Sequence, residues 1–453
     1  MRELKISASG VRGVVGDALT PELVIDFASA LGTWAEGGPV ALARDTRRSS
    51  PMLHAAAAAG LAACGCETID LDVGSTPLLS FAVRELGCAA GICITGSHND
   101  ARWNALKFLG PDGMLLDAVK GEELLDIYHA AAFRTGGPPA PARTFDRRAL
   151  VERYVANLSA CLDVEAVRAA AWKAAVDFCN GTCAETAVPL LAELGCTLMP
   201  LHAQADGSFA RPPEPVPAHM GAPARFTAET GADIGAALNI DGDRIAFILP
   251  GGTPLSEECT LPLAALGRLA RRPGTIVTNL STSRMIEVVA GRAGCSVLRT
   301  PVGESNVMGR GLEEDAVLAG EGSGGVAALP ASMTFDALLA LGMVLEAMSA
   351  AGGLPELAAQ LPRLEMRKGK VPCPPAQAYA VLEHFRRSLS DLAPDVSDGV
   401  RVAWDDAWLH VRVSNTEPLV RVIVEAECAG RADELFAEAM AAARRAAGTG
   451  EGR

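Results

Sequence analysis

The sequence predicts an α/β protein: three similar α/β domains followed by a C-terminal α+β domain. Two observations carry this reading. Short continuous apolar runs (PVALA at 39–43, GICIT at 91–95, IGAAL at 234–238, TIVTNL at 275–280) read as buried strands, and they alternate with longer segments of helical period. From about Val371 the order changes to a helix, strands around VRVAW and WLHVR, a loop, the strand LVRVIVEA and a final helix rich in Ala, Glu and Arg. The pattern divides the 453 residues at 1–150, 151–252, 253–368 and 369–453, with VPCPP at 371–375 as a linker.

Three helices of the first domain each open with a capping residue and then proline: Thr20-Pro21, Ser50-Pro51 and Thr76-Pro77. Each fits an N-cap with proline at the first helical position. Leu23, Val24, Phe27, Ala28 and Leu31 give the first helix its apolar stripe. The second domain has a strand ending at Asp177, a turn at Asn180-Gly181, a helix, and the strand 234–238 running into NIDGDR. The third has the strand 275–280, a helix from Ser281, a Gly-rich loop at 319–325 and a helix after Phe335. Loops thus fall at strand ends, where α/β folds bind ligands.

Composition narrows the partners. With 54 acidic against 40 basic residues and a net charge of −14, the chain repels nucleic acid and anionic membrane at long range. Small phosphorylated ligands stay open, because a local cluster of Arg and Lys outweighs a distant acidic surface. The start MRELKISASGVRG carries no apolar run of signal length, and the Ala-rich stretch 55–66 is too short for a bilayer, which implies the cytoplasm. Twelve cysteines without a repeated Cys-x-x-Cys pair read as structural thiols.

Four loops carry chemistry. In 95–108 (TGSHNDARWNALKF), Ser97 follows a buried strand with Asn99, Asn104 and Lys107 close behind. A phosphoserine beside a metal ion and a lysine is a competent phosphoryl donor. His98 adjoins it but in an extended segment points the other way, which argues against a Ser-His relay. In 239–244 (NIDGDR), oxygen ligands at Asn239, Asp241 and Asp243 can converge on Mg²⁺, or the loop is a turn around Gly242 with solvated acids. In 319–325 (AGEGSGG), Glu321 and Ser323 offer an acceptor and a donor-acceptor suited to sugar hydroxyls. In 412–421 (RVSNTEPLVR), Arg412 and Arg421 flank Ser414, Asn415 and Thr416, which makes either a phosphate pocket or a charged hairpin tip.

In this order, and over nearly the whole chain, the four loops resemble those of the α-D-phosphohexomutase superfamily: a T-A-S-H-N-P phosphoserine loop, a D-G-D-A-D-R metal loop, a G-E-x-S-G sugar loop and an R-x-S-x-T-E-P phosphate loop. The likeness extends to SGVRG at 9–13 and ARDTRRSS at 43–50. The resemblance implies four domains around a central cleft, Ser97 as the phosphoserine, and one Mg²⁺ held by Asp241, Asp243 and the Ser97 phosphate, with Asn239 as a neutral ligand. It also implies Arg12, Lys107 and Arg244 around the reacting phosphoryl group, with His98 beside them, and Glu321 and Ser323 on the sugar. The activity implied is exchange of phosphate between O6 and O1 of a hexose through a hexose 1,6-bisphosphate, by a monomer or homodimer. WNALKF, GEGSGG and LSEECTL (255–261) look most like phosphoglucosamine mutases of archaeal type, the alternatives being glucose or mannose phosphates or a non-catalytic phosphosugar-binding relative. An aspartyl phosphatase reading of DGDRI fails on position, since that nucleophile follows the first strand.

Three residues depart from the family pattern: Gly96 for alanine, Asp100 for proline and Asn239 for aspartate. At ~8 Å and an effective dielectric near 40, Asp100 would oppose the phosphate by about 1 kcal/mol.

Overall fold

The computed structural model describes residues 4–7, 10–135, 142–414 and 418–448. It contains one six-stranded and three four-stranded sheets. The first three share a plan. In each, a central strand (Val40–Arg44, Lys173–Asp177, Ile276–Asn279) has a parallel neighbour on either side. One of those neighbours then turns back as an antiparallel hairpin: Ala90–Ile94 into Trp103–Leu109, Ile234–Leu238 into Ile245–Ile248, and Leu318–Glu321 into Gly325–Ala327. The first sheet adds Lys5–Ser7 and Gly10–Val14 beyond its hairpin. The fourth sheet is antiparallel throughout, in the order Glu365–Pro372, Leu419–Ala426, Ala407–Val413, Val400–Ala403. The three hairpin connections and the connection between Ala407–Val413 and Leu419–Ala426 coincide with the four loops singled out by their chemistry.

The central strands are apolar on both faces because helices cover both sides. Val40, Leu42, Ile92 and Ile94 pack on the helices Pro21–Trp34 and Ser50–Ala63, whereas Ala41, Ala43 and Cys93 join a cluster that continues through the second and third domains. The C-terminal domain has its own core, with Val371, Val411, Val422 and Val424 under the helices Pro375–Ser388 and Ala429–Ala446. All twelve cysteines are free thiols. Among the described residues no helix is long and apolar enough to cross a membrane.

Several elements differ from expectation. Thr20 caps its helix as read, accepting from the Leu23 N–H. The other two helices begin one residue earlier, with Ser49 and Ser75 at the cap and Pro51 and Pro77 in the second helical position. Proline lacks only an N–H that the first turn leaves unpaired, so the Ser-Ser-Pro and Ser-Thr-Pro runs allow either register. The shift frees two hydroxyls: Ser50 Oγ donates to Asp45 and Thr76 Oγ1 to Asp241. The helix expected from Ser281 starts at Met285. VPCPP is no linker, because Val371 and Pro372 end the eight-residue strand Glu365–Pro372, whose MRKGK stretch is too polar to read as a strand.

That strand helps dock the last domain on the third. Lys368 Nζ reaches Glu257 and Glu258 at 2.7 and 2.8 Å, the Val302 N–H donates to Asp398 at 2.9 Å, and the Arg284 N–H to Glu425 at 2.9 Å. His410 is fully buried in this junction. Its Nε2 lies 2.6 Å from the Asp398 carbonyl and must donate there, so Nδ1 accepts from Ser281 Oγ at 2.9 Å. Burial drives the pKa of His410 down to about 4, aided by Arg412 and Arg401 and opposed by Asp398. The unfolded chain therefore takes up a proton near pH 6.5 that the folded state refuses until about pH 4. The stability present above pH 6.5 is expected to fall through that window by about 3 kcal/mol in all, and His410→Gln to remove this share of the slope in denaturant titrations across pH 4–7.

Candidate active site

Ser97 stands just beyond the buried strand Ala90–Ile94 in a left-handed conformation, φ 47°, which costs a non-glycine residue about 1 kcal/mol. Its N–H donates to Thr95 Oγ1 at 2.9 Å. Its Oγ accepts from Asn239 Nδ2 at 3.1 Å, so the phosphoserine loop and the metal loop meet at this hydroxyl.

The same Asn239 nitrogen donates to Asp241 Oδ1 at 2.9 Å and Asp243 Oδ1 at 2.5 Å. Lys107 Nζ donates to the remaining oxygen of each carboxylate, at 2.7 and 2.6 Å, and Thr76 Oγ1 adds a bond to Asp241 at 2.9 Å. Both acids are buried. Burial and the adjacent Asp243 push the Asp241 carboxyl up. Burial acts likewise on Asp243, but Lys107 and Arg244 outweigh it and hold that carboxyl low. Burial opposes the charge on Lys107, yet the two aspartates prevail and raise its pKa. The surface-turn alternative for this loop is thereby excluded: its acids are buried and share the Lys107 ammonium.

This donor set fits Mg²⁺. Two carboxylates already converge on an ammonium, and a phosphate on Ser97 would bring further hard oxygens beside them. Among the described residues no group of three or more His, Cys, Asp or Glu side chains gathers to hold a metal. The expected neutral ligand is oriented otherwise. Asn239 turns its amide nitrogen to the carboxylates, while its carbonyl oxygen accepts the Arg244 N–H at 3.1 Å.

Arg12, on the strand Gly10–Val14, and Arg244 bring two more cations. Burial and then Arg244 lower the pKa of Arg12. Burial, Arg244 and Arg12 drive His98 well below its ordinary value, so the imidazole is neutral. The segment is a turn and not extended, because Ser97 takes a positive φ, and this brings His98 toward the cations instead of away from them. His98 Nδ1 is buried with no partner among the described residues.

Glu321 ends its strand and accepts the Gly303 N–H at 3.0 Å. Ser323 Oγ is buried without a partner among the described residues. A Cβ on Gly322 would lie 1.9 Å from Glu258 Oε2, so only glycine fits over that buried acid. The loop abuts the metal loop through the Ile245 N–H to Gly324 carbonyl bond at 3.1 Å. Sequence reasoning passed over Glu304, which begins the helix Glu304–Glu313 and accepts the Phe335 N–H at 2.9 Å. Burial pushes its carboxyl up to about 8, with Lys107 opposing and Asp243 assisting. An acid four residues beyond a strand end, after the turn residues Pro301 and Gly303 (TPVGE), was the available signal.

In the fourth loop Arg412 and Arg421 lie directly opposite in the strand ladder. Two like charges so placed repel unless an anion joins them. Asp398 supplies one, meeting Arg412 Nε at 3.1 Å, so that arginine is buried and already engaged by a carboxylate. Ser414 is buried, and its N–H closes the hairpin on the Leu419 carbonyl at 2.9 Å. Asn415 and Thr416 lie outside the described residues.

Two of the three departures have structural accounts. A Cβ on Gly96 would lie 2.5 Å from the Arg47 guanidinium carbon, so the family's alanine does not fit here. Asp100 is half-exposed and ion-paired with Arg102 at 2.9 Å, which neutralises the expected repulsion.

Sequence comparison agrees with this geometry. The four domain descriptions of phosphoglucomutase/phosphomannomutase match in order: alpha/beta/alpha domain I at residues 3–135, domain II at 152–252, domain III at 260–364 and the C-terminal domain at 368–443. Fold and site together define a phosphohexomutase, an enzyme of the isomerase class. A protein of Methanopyrus kandleri named "Probable phosphoglucosamine mutase" is 35% identical over 447 residues, covering 96% of this chain and 97% of its own. The chain belongs to the phosphoglucomutase/phosphomannomutase family. A crystal structure of a member from Burkholderia thailandensis superposes with a TM-score of 0.82 at 26% identity, covering 98% of this chain and 99% of that one. The Aspergillus fumigatus N-acetylphosphoglucosamine mutase, in complex with GlcNAc-6P and magnesium, shares the fold at 14% identity and a TM-score of 0.60, covering 98% and 96%.

Asn239→Asp sets a third carboxylate beside a single ammonium and removes the amide N–H bonds to the other two. In chelator the variant is expected to lose about 1–3 kcal/mol of stability, and on addition of Mg²⁺ to gain more in melting temperature than the wild type does. Thermal unfolding with and without the cation checks both.

Proposed function

We propose that the chain interconverts glucosamine 6-phosphate and glucosamine 1-phosphate, with Ser97 carrying the transferred phosphate. The observation that carries the reading is the network in which Ser97 Oγ, Asp241, Asp243 and Lys107 meet around Asn239. Phosphorylated Ser97 gives its phosphoryl group to the free hydroxyl of the hexose monophosphate, the bisphosphate turns over, and the other phosphate returns to Ser97. Lys107, held protonated by two aspartates, is assigned to give a proton to Ser97 Oγ as the phosphoryl group leaves it and to take back the proton that the attacking sugar hydroxyl loses, so its charge is restored over the step. Arg12 and Arg244 face the same centre as cations for the phosphoryl oxygens, and His98, kept neutral, offers Nδ1 as a polar contact. Mg²⁺ on Asp241, Asp243 and the Ser97 phosphate would neutralise charge on the phosphoryl group.

Glu321 and Ser323 hold the sugar, whichever way round it binds. Arg421, with Arg412 behind it on Asp398, takes the phosphate that is not being transferred. The junction of the last two domains is polar and ion-paired, of the kind that can open and close to admit substrate and exclude water. The glucosamine preference rests on the archaeal relatives' printed names and on Glu321 in the loop assigned to the sugar, an acceptor that suits an amino group at C2. Glucose and mannose phosphates are the alternatives.

Ser97→Ala is expected to abolish turnover; retention of more than about a hundredth of the rate, a loss under ~3 kcal/mol, rejects the phosphoserine route. Comparing kcat/KM for the three hexose phosphates decides the substrate, with glucosamine phosphate expected to lead. Arg421→Ala is expected to raise KM for all three alike, because its contact is to phosphate. An increase confined to one sugar removes the clamp.

A further inference from the structure

Residues 43–50 (ARDTRRSS) take no part in the chemistry above, yet they hold the loop that does. Arg47 is 1% exposed. Its Nη2 donates to the carbonyls of Ser97 and Asn99 at 2.9 and 2.7 Å, and its Nη1 to those of Asp100 and Trp103 at 2.5 and 3.1 Å. One side chain thus gathers four carbonyls of one loop. Its charge is met by Asp45, whose Oδ2 accepts Arg47 Nε at 3.0 Å and the Gly96 N–H at 3.2 Å. Asp45 Oδ1 takes the Arg47 N–H at 3.0 Å and Ser50 Oγ at 2.5 Å.

The guanidinium is also reached from the second domain. The Phe209 ring centroid lies 4.9 Å from it. Phe209 arrives on an arm after His202, and the arm sits tightly on the motif: a Cβ on Gly207 would come within 2.0 Å of the Thr46 carbonyl. Thr46 Oγ1 in turn donates to the Asn180 carbonyl at 2.7 Å.

We propose that Arg47 is a positioning residue for phosphoryl transfer. By gathering those four carbonyls it fixes Ser97 in its left-handed conformation, and Phe209 makes that grip depend on contact between the first two domains. Only a planar guanidinium spans this set of acceptors, since an ammonium offers three donors from a single point. The inference rests on the reading that Ser97 carries phosphate.

The test uses the full-length enzyme, dephosphorylated and mixed with glucose 1,6-bisphosphate, with uptake of one phosphate at Ser97 followed by rapid quench and intact mass. Arg47→Lys, which keeps the charge on Asp45, is expected to slow uptake about a hundredfold while KM for the sugar phosphate is unchanged. Phe209→Ala is expected to slow it about tenfold, and Phe209→Tyr, which keeps the ring, to restore it. Uptake at the wild-type rate in a folded Arg47→Lys variant overturns the inference. If that variant does not fold, equal rates for Phe209→Ala and Phe209→Tyr overturn it instead. A wild type that takes up no phosphate removes the Ser97 reading itself, so the two failures are distinct.

Discussion

Two buried carboxylates that need a cation are the constraint on which the rest of the site depends. Asp241 and Asp243 share the amide of Asn239 and the ammonium of Lys107, and neither could stay charged at this depth without them. Lys107 comes from the first domain, as does Thr76, which bonds Asp241 through its hydroxyl and its N–H. The third domain closes on the same loop through the Ala337 N–H to the Gly242 carbonyl at 3.0 Å. A six-residue hairpin tip in the second domain is therefore completed by both its neighbours: its carboxylates are met by the first domain's lysine, and its backbone is held by the third.

The repeated plan explains why the chemistry falls where it does. In each of the first three sheets the parallel neighbour that turns back does so at the same end, and the connection carries in turn Ser97, the acids Asp241 and Asp243, and Ser323 beside Glu321. A strand in the middle of such a sheet has no freedom to move its ends, so the tips are presented by rigid supports. The fourth sheet reaches the cleft by the same device with an antiparallel hairpin, although its strands are connected differently.

Much of this was legible in the sequence because the strands are short, apolar and bounded by turns: IGAAL at 234–238 is fully buried as read, and the strand LVRVIVEA runs over Leu419–Ala426. Ser97, Lys107, Asp241 and Asp243 were named from residue type and spacing, and they meet in one network. What escaped depends on tertiary contacts. Thr76 read as a cap because Ser75 offered an equal one, and its hydroxyl was wanted elsewhere. MRKGK hid a strand because one face of it bonds to acids across a domain boundary. The direction of the Asn239 amide follows from the Arg244 N–H, which no pattern in NIDGDR reveals, and the need for Gly96 follows from a guanidinium about fifty residues earlier in the chain.

One apolar cluster runs through the first three domains, while the last domain packs around a core of its own and meets the third mainly through ion pairs and hydrogen bonds. Cooperativity in unfolding follows continuous apolar packing more closely than polar contacts. Heated in a calorimeter, the protein should absorb heat in two steps. The smaller step belongs to the C-terminal block, so thermal inactivation sets in while the serine, its carboxylates and their lysine are still folded.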